Sequence, residues 1–369
     1  MKIAASADWH VDNLGKTYLI DGVSNREIDL GKQINEMVYV CKQKNVKIFF
    51  IAGDLFDKNL VTGYYFDKVV DYLEMFTDND IEIVVIQGNH ETKESGIPLT
   101  NTLKRLRNKN IWVFDSISML PIGNATIFLI PHIRRDLFKQ YENYTEYVKD
   151  VISKYKKISK PIIVGHFQPI NSVPGSEQEM FAGSTRYIDC SIFKNALVIC
   201  GHVHKPQEIG RVIIPGSPVR FTKSERNEIK RFVIYDTVTN KLESVELNCQ
   251  KMSLIKVDFL NKNVVNFPRE KISKYKDTLL YIDVVSSKKN RYRVNSREII
   301  SVFEDIGAKV VSFKVSTISE ESRLKKSIRR KSMAPNNVFD RILAQVVKKE
   351  EERKRIGNIG KKIMGEVND

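Results

Sequence analysis

Five of the six histidines in this 369-residue chain stand in short polar clusters beside Gly, Asp or Asn. The clusters are Asp8-Trp9-His10, Gly53-Asp54 with Asp57 close behind, Gly88-Asn89-His90-Glu91, Gly165-His166 and Gly201-His202-Val203-His204. In an extended backbone residues i and i+2 point the same way, so Asp8 with His10, and His202 with His204, are expected to present two ligands each to one cavity. Glycine ahead of Asp54, Asn89, His166 and His202 is expected to let the backbone turn sharply or approach an ion closely. Asp8, His10, Asp54, Asn89, His166, His202 and His204 are together too many for one tetrahedral ion. They suit two five- or six-coordinate ions that share a bridging carboxylate. Ions about 3.5–4 Å apart generate a hydroxide nucleophile at neutral pH and clamp the oxygens of an in-line phosphoryl displacement. Imidazole-rich ligation favours manganese, iron, zinc or cobalt over magnesium. A lone Asp-x-His is more often surface or helix-cap chemistry than a metal site, but five such elements in succession, each after a strand-like run, outweigh that reading.

The elements that must carry these residues alternate over residues 1 to about 240. Strands are expected at Lys2 to Ala7, Val46 to Ala52, Ile81 to Gln87, Thr126 to Ile130, Pro161 to Gly165, Ala196 to Cys200 and Arg211 to Ile214. Ile28, Ile34, Met37, Val38 and Cys41 fall near helical spacing and predict an amphipathic helix over 26–45. The pattern is that of an α/β layered domain with its polar clusters just past the strand ends, where open α/β sheets build their sites. Three consecutive strand-like runs (RFVIYD, KLESVEL, SLIKVDF) are expected to complete or flank the main sheet. A helix, strand, helix, strand order over about 265–318 predicts a small α/β module. The domains are thus read as 1–250, 251–318 and a tail of 319–369. In the tail, basic residues without an acid over Ser322 to Lys331 lead to Ala334-Pro335-Asn336-Asn337. Phe339, Ile342, Leu343, Val346 and Val347 then recur at helical spacing, as in an amphipathic helix with a stripe to dock.

At the five clusters the sequence resembles the calcineurin-like metallophosphoesterases, whose motifs run Asp-x-His, Gly-Asp, Gly-Asn-His-Asp/Glu, His and Gly-His-x-His. The resemblance covers about residues 1–220. It implies a two-layered β-sandwich flanked by helices, with a small α/β capping module and C-terminal helices, a topology that composition alone does not reveal. Within that superfamily "IFFIAGDLFDK", "IEIVVIQGNHE", "ALVICGHVHKPQ" and "IIPGSPVRFTKSE" look like the SbcD-like nuclease subunits that process DNA ends. By motif, the resemblance implies that Asp8, His10 and His204 bind one ion and Asn89, His166 and His202 the other, with Asp54 bridging and Mn²⁺ the expected metal. His90, left without a metal, is implied as the catalytic residue that stabilises developing charge or protonates the leaving 3′ oxygen. Where some relatives carry a second catalytic histidine this chain has Asp57, which either orients a ligand histidine or caps the following turn. His132 belongs to no motif and is read as structural or near DNA, with structure favoured.

A formal charge of +15 and a pI near 9.4 point to a polyanionic partner, and Lys/Arg neutralisation of phosphates suits DNA. A merely basic soluble surface is the bland alternative. Tyr64 and Tyr65 are candidates for stacking on a base, core packing being at least as good a reading. The family layout implies that the terminal helix docks on an SbcC-like, SMC-type ATPase and that the nuclease dimerises within a heterotetramer. The rival for the helix is folding back on its own domain. Two other functions compete: a phosphomonoesterase or cyclic-nucleotide phosphodiesterase, which needs no basic tail, and a non-catalytic DNA-end-binding scaffold, which predicts lost ligands. Cys41, Cys190, Cys200 and Cys249 are scattered without a C-x-x-C pair, and no apolar run approaches membrane-spanning length. The expected setting is a reducing cytoplasm.

Overall fold

A computed structural model describes residues 1–318 apart from 14, 16, 93–99, 107–109, 124, 156–160, 177–186, 261–266 and 289. The basic stretch and amphipathic run of 319–369 lie outside the described residues. The chain divides into two compact units. The first comprises Met1–Leu254, Tyr275–Tyr281 and Gly307–Ser312, and the second comprises Ile255–Lys274, Ile282–Ile306 and Phe313 onward.

The first unit holds two six-stranded mixed sheets rather than the single open sheet that its residue pattern alone suggests. One runs Lys241–Glu246, Arg231–Asp236, Lys2–Ser6, Val46–Ala52, Glu82–Ile86, Ile111–Phe114. The other runs Gln207–Ile209, Val212–Ile214, Leu197–Gly201, Ile162–His166, Ala125–Ile130, Ser118–Ile122. In each, four central or edge strands pair in parallel and antiparallel strands complete the order. Both faces of each sheet are covered, which is why the central strands read as continuous apolar runs. Ile3, Ala5, Ile48, Phe50, Val84 and Ile86 face Ile127, Leu129, Ile162, Val164 and Ile199 across the sandwich. The alternate residues Ala4, Phe49, Ile51, Ile83 and Val85 turn outward against Ile34, Met37, Val69, Leu73 and Phe76 of two helices. On the other outer face Phe128, Ile130, Ile163 and Val198 meet Tyr144 and Val148 of the helix Tyr144–Ser153.

The first helix, Asn25–Gln43, begins where the Ser24 side chain accepts from Arg26 N and ends before Asn45, whose positive φ of 55° closes it. The second, Gly63–Thr77, follows the Asp54–Asp57 loop. Of the three expected consecutive strands, Arg231–Asp236 and Lys241–Glu246 join the first sheet. Met252–Phe259 instead opens a separate three-stranded sheet with Leu279–Ser287 and Lys309–Ile318. The predicted helix, strand, helix, strand order is present as Arg269–Ile272, Leu279–Ser287, Ser296–Glu304 and Lys309–Ile318. In the second unit Phe303 is buried with its ring 5.1 Å from that of Phe267. All four cysteines are free, and three are buried. Among the described residues no helix is long and apolar enough to cross a membrane.

The two large sheets make a close approach where the metal-type residues emerge. A Cβ added to Gly201 would lie 2.1 Å from the Ala52 carbonyl oxygen and 2.7 Å from Ala7 Cβ, so only glycine lets these strand ends meet. Gly201→Ala is therefore expected to cost about 1–3 kcal/mol by overpacking and to weaken divalent-metal binding, both read by denaturant unfolding with and without Mn²⁺. Phe50→Ala, which hollows the same interface farther from the site, is expected to cost about 3–5 kcal/mol. It should leave the metal affinity of the folded protein close to that of the parent, in contrast to Gly201→Ala.

Candidate metal centre

All five clusters lie at the carboxyl ends of parallel strands. Asp8 and His10 follow Lys2–Ser6, Asp54 follows Val46–Ala52, and Asn89 and His90 follow Glu82–Ile86, all in one sheet. His166 ends Ile162–His166, while His202 and His204 follow Leu197–Gly201 in the other sheet. Donors thus converge from both layers of the sandwich.

The expected extended claws are not how they converge. Asp8 and His10 have φ of 55° and 43°, in the left-handed region, and their N–H groups donate to the carbonyls of Gly53 and Asp54 at 3.0 Å each. These bonds bend the segment around the Asp54 loop, so tertiary pairing overrides the extended conformation that i, i+2 spacing presumes. His202 has φ 92°, and its N–H donates to both Asp8 carboxylate oxygens at 2.9 and 3.1 Å. The two histidines of Gly-His-x-His consequently face different partners. Asp8, His10 and His204 gather as one buried donor group, and Asp54, His166 and His202 as another. The glycines ahead of the ligands also act differently from expectation. A Cβ on Gly53 would lie 2.0 Å from His166 Nδ1, and one on Gly88 would lie 2.1 Å from Asp54 Oδ1. They admit neighbouring site side chains, and Gly53 additionally needs its φ of 86°.

Distances within the groups are those of a cage whose lone pairs point inward. His10 Nε2 is 2.9 Å from His204 Nε2 and 3.6 Å from Asp54 Oδ2, while His166 Nε2 is 3.3 Å from Asp54 Oδ2. Asn89 Oδ1 sits 2.8 Å from His166 Nε2 and 2.9 Å from His202 Nδ1. His166 Nδ1 donates to the Ala52 carbonyl at 2.9 Å, which orients the ring so that Nε2 faces Asn89 and Asp54. Two ring nitrogens 2.9 Å apart beside a buried carboxylate are an arrangement that divalent cations fit. The donor set of nitrogen, carboxylate and amide oxygen suits transition metals. The structure brings Asp8, His10, Asp54, Asn89, His166, His202 and His204 together at these strand ends.

Electrostatics follow from burial. Burial raises the Asp54 carboxyl, but His166, His90 and His10 outweigh it and hold the group well below the usual carboxylate range. Burial lowers His166, yet Asp54 and Asp8 with the Ala52 carbonyl raise it to about 9. Burial, then repulsion from His166, pushes His202 well down, and burial with His10 and Lys230 does the same to His204. Both are held as neutral imidazoles, the form that ligates metals.

Around this cage runs a cavity of about 170 Å³ lined by His10, Asn13, Asp54, Asp57, Asn89, His90, Ser176, His202, His204, Phe221 and Thr222. His90 is half open to it, with Nε2 3.9 Å from Asp54 Oδ2 and Nδ1 2.6 Å from the Asp57 carbonyl oxygen. Asp57 Oδ1 lies 3.1 Å from His10 Nδ1 and accepts from Asn13 Nδ2 at 3.0 Å. Asp57 therefore touches His10 with its side chain and His90 with its backbone carbonyl. His10, Asp57 and His90 form a further grouping, less buried than the other two, with His10 Nδ1 3.1 Å and His90 Nδ1 3.9 Å from Asp57 Oδ1. Glu91 is the residue that sequence reasoning left without a role: its carboxylate accepts from Phe56 N at 2.9 Å and Gly88 N at 2.8 Å, stitching two ligand loops together. Burial and the nearby Asp54 raise its carboxyl to about 7. Its place in the Gly-Asn-His-Glu run was the available signal. His132 is buried, with its ring 6.5 Å from that of His166. Tyr64 is exposed and bonds to Glu27 through its hydroxyl. Tyr65 packs against the helical core layer, and neither tyrosine is among the residues lining the cavity.

Comparison with known proteins matches the calcineurin-like phosphoesterase family model to residues 1–206. Exonuclease subunit 1 of Enterobacteria phage T4 is 22% identical over 253 residues, 67% of this chain and 68% of that protein. The DNA double-strand break repair protein Mre11 of Nanoarchaeum equitans is 21% identical over 197 residues, 51% of this chain and 55% of its own length. Among solved structures a dimetal phosphatase from Danio rerio is similar over 63% of this chain and 91% of its own, with 12% identity and a TM-score of 0.40. With the family model spanning more than half of its length, the chain belongs to the calcineurin-like phosphoesterases, hydrolases built on a dinuclear metal centre.

Proposed function

We propose that the chain is a metal-dependent DNA nuclease that hydrolyses phosphodiester bonds at DNA ends. The observation that carries this reading is the pair of buried donor groups meeting at Asp54, with a histidine outside both groups open to the same cavity. Asp8, His10 and His204 would hold one ion and Asn89, His166 and His202 the other, with the Asp54 carboxylate available to both. When bound, the two ions supply Lewis-acid activation of the phosphoryl group and a nucleophile at neutral pH. The mixed imidazole and oxygen set suits several transition metals, and the family resemblance makes Mn²⁺ the one proposed.

His90 carries the proton chemistry. A carbonyl oxygen only accepts, so the Asp57 contact places a proton on His90 Nδ1 and aims Nε2 at the cavity. Burial lowers the imidazole, but Asp54, the Asp57 carbonyl and the Asp57 carboxylate raise it net, which favours the protonated ring and an Nε2–H able to donate to a leaving 3′ oxygen. DNA as substrate is supported by the +15 charge, by the resemblance of the Pro215-Gly216-Ser217-Pro218 segment to SbcD-like subunits, and by similarity to two proteins whose names place them in exonuclease action and double-strand break repair. The same reading assigns the chain to DNA end processing in recombination, repair and replication, in the cytoplasm. It acts there as a homodimer, with residues 319–369 docking on an SbcC-like ATPase.

Labelled linear duplex and single-stranded DNA incubated with Mn²⁺, Mg²⁺ or EDTA, beside a chromogenic phosphate ester, tests this directly. The expected outcome is Mn²⁺-dependent DNA cleavage abolished by EDTA. Hydrolysis of the ester alone would make the protein a phosphomonoesterase, and DNA binding without cleavage would make it a scaffold. His90→Ala is expected to lower cleavage about 10²- to 10⁴-fold while two Mn²⁺ still bind. Because the proton on Nε2 is lost as pH rises through its raised pKa, the parent rate should fall on the alkaline side. That limb should be absent from the His90→Ala profile.

A further inference from the structure

Lys230 is completely buried and sits behind the metal centre, outside any motif that carries ligands. Its Nζ donates to the His204 carbonyl at 3.1 Å, Ser217 Oγ at 2.8 Å, Glu225 Oε2 at 2.7 Å and Glu228 Oε2 at 2.9 Å. An ammonium has three donors and no preferred plane, so with one N–H shared between two acceptors it can gather this three-dimensional set, where a guanidinium's donors are confined to one plane. The same carbonyl of His204 also accepts from Ser217 N at 3.2 Å. A Cβ on Gly216 would lie 2.5 Å from it. Glu225, itself fully buried, accepts from Phe221 N at 3.2 Å. The Phe221 ring stands 5.3 Å from the His10 ring and 5.4 Å from the His204 ring. Arg220 ties down the other side of the segment, donating to the carbonyls of Glu228, Cys249 and Gln250 at 2.7 to 3.2 Å.

Burying a lysine with two carboxylates is a poor route to stability, since desolvation offsets most of the attraction and apolar replacements often do as well. What this cluster does supply is position. It grips the main chain of His204 and, through Glu225 and Phe221, the rings of both histidines in one donor group.

We infer that Lys230, with Glu225 and Ser217, is a positioning cluster for the first of the two metal sites, holding His204 by its carbonyl so that its imidazole meets Asp8 and His10. The inference rests on the two-metal reading above, and it explains the Pro215-Gly216-Ser217-Pro218 segment and the following Glu225 as parts of one clamp.

Mn²⁺ titration by calorimetry on the full chain tests it, in the parent, in Lys230→Met/Glu225→Gln and in Gly216→Ala. The double substitution removes the lysine without leaving Glu225 as an unpaired buried charge, and thermal unfolding checks that it folds. Gly216→Ala displaces the same carbonyl without altering any charge. In both variants one of the two Mn²⁺ binding steps is expected to weaken about 10- to 100-fold while the other keeps its parental affinity. Folded variants that bind both ions as the parent does would overturn the inference, as would equal weakening of both steps. A parent that binds fewer than two ions would instead overturn the two-metal reading itself.

Discussion

A carboxylate taken out of water must be met by positive charge or by donors, and Asp54 is only 2% exposed. It accepts His90 N at 2.9 Å and lies 3.3 to 3.9 Å from the Nε2 atoms of His166, His10 and His90. Asp54 and His10 belong to one sheet and His166 to the other, so satisfying this one group requires the strand ends of both layers to meet. The features around it serve that closeness. Gly201 lets the strand ends touch, Gly53 and Gly88 admit His166 and Asp54, and Glu91 binds the two ligand loops that flank the carboxylate. Without cations such a gathering of buried imidazoles and carboxylates is hard to hold together, and the opposing pKa shifts of His166 and His202 record that tension.

Much of this was legible in the residues. Strands such as Val46–Ala52 and Ile162–His166 announce themselves because, Lys47 and His166 apart, their positions are buried and carry no polar side chain. That same uniformity hides which residues face inward. Phe49 and Phe50 look alike in sequence, yet one packs on helices and the other between sheets, so the residue pattern suggested one open sheet and only the family resemblance indicated a sandwich. The strands Ile111–Phe114 and Ser118–Ile122 lie at the edges of the two sheets and are mostly half-buried or exposed, the first only four residues long and the second interrupted by Pro121, so neither carries the pattern that marks the central ones.

At the site, the types and order of the residues that the structure brings together were readable because metal chemistry restricts them, whereas their backbone geometry was not. The left-handed conformations of Asp8 and His10 depend on bonds to Gly53 and Asp54, more than forty residues away, which no local spacing encodes. Lys230 was invisible for a related reason. It sits in KSERNEIKR, a run that reads as a solvated charged surface, and only the fold reveals that one of its charges is sealed behind a histidine.

The decisive measurement is a crystal structure of the chain soaked in Mn²⁺ with anomalous scattering data collected to locate the metal. Two anomalous peaks about 3.5–4 Å apart are predicted, one bound by Asp8, His10 and His204, the other by Asn89, His166 and His202, with Asp54 touching both and His90 bound to neither. A single peak, two peaks that do not share Asp54, or His90 as a ligand would contradict the dinuclear centre from which the nuclease activity is argued.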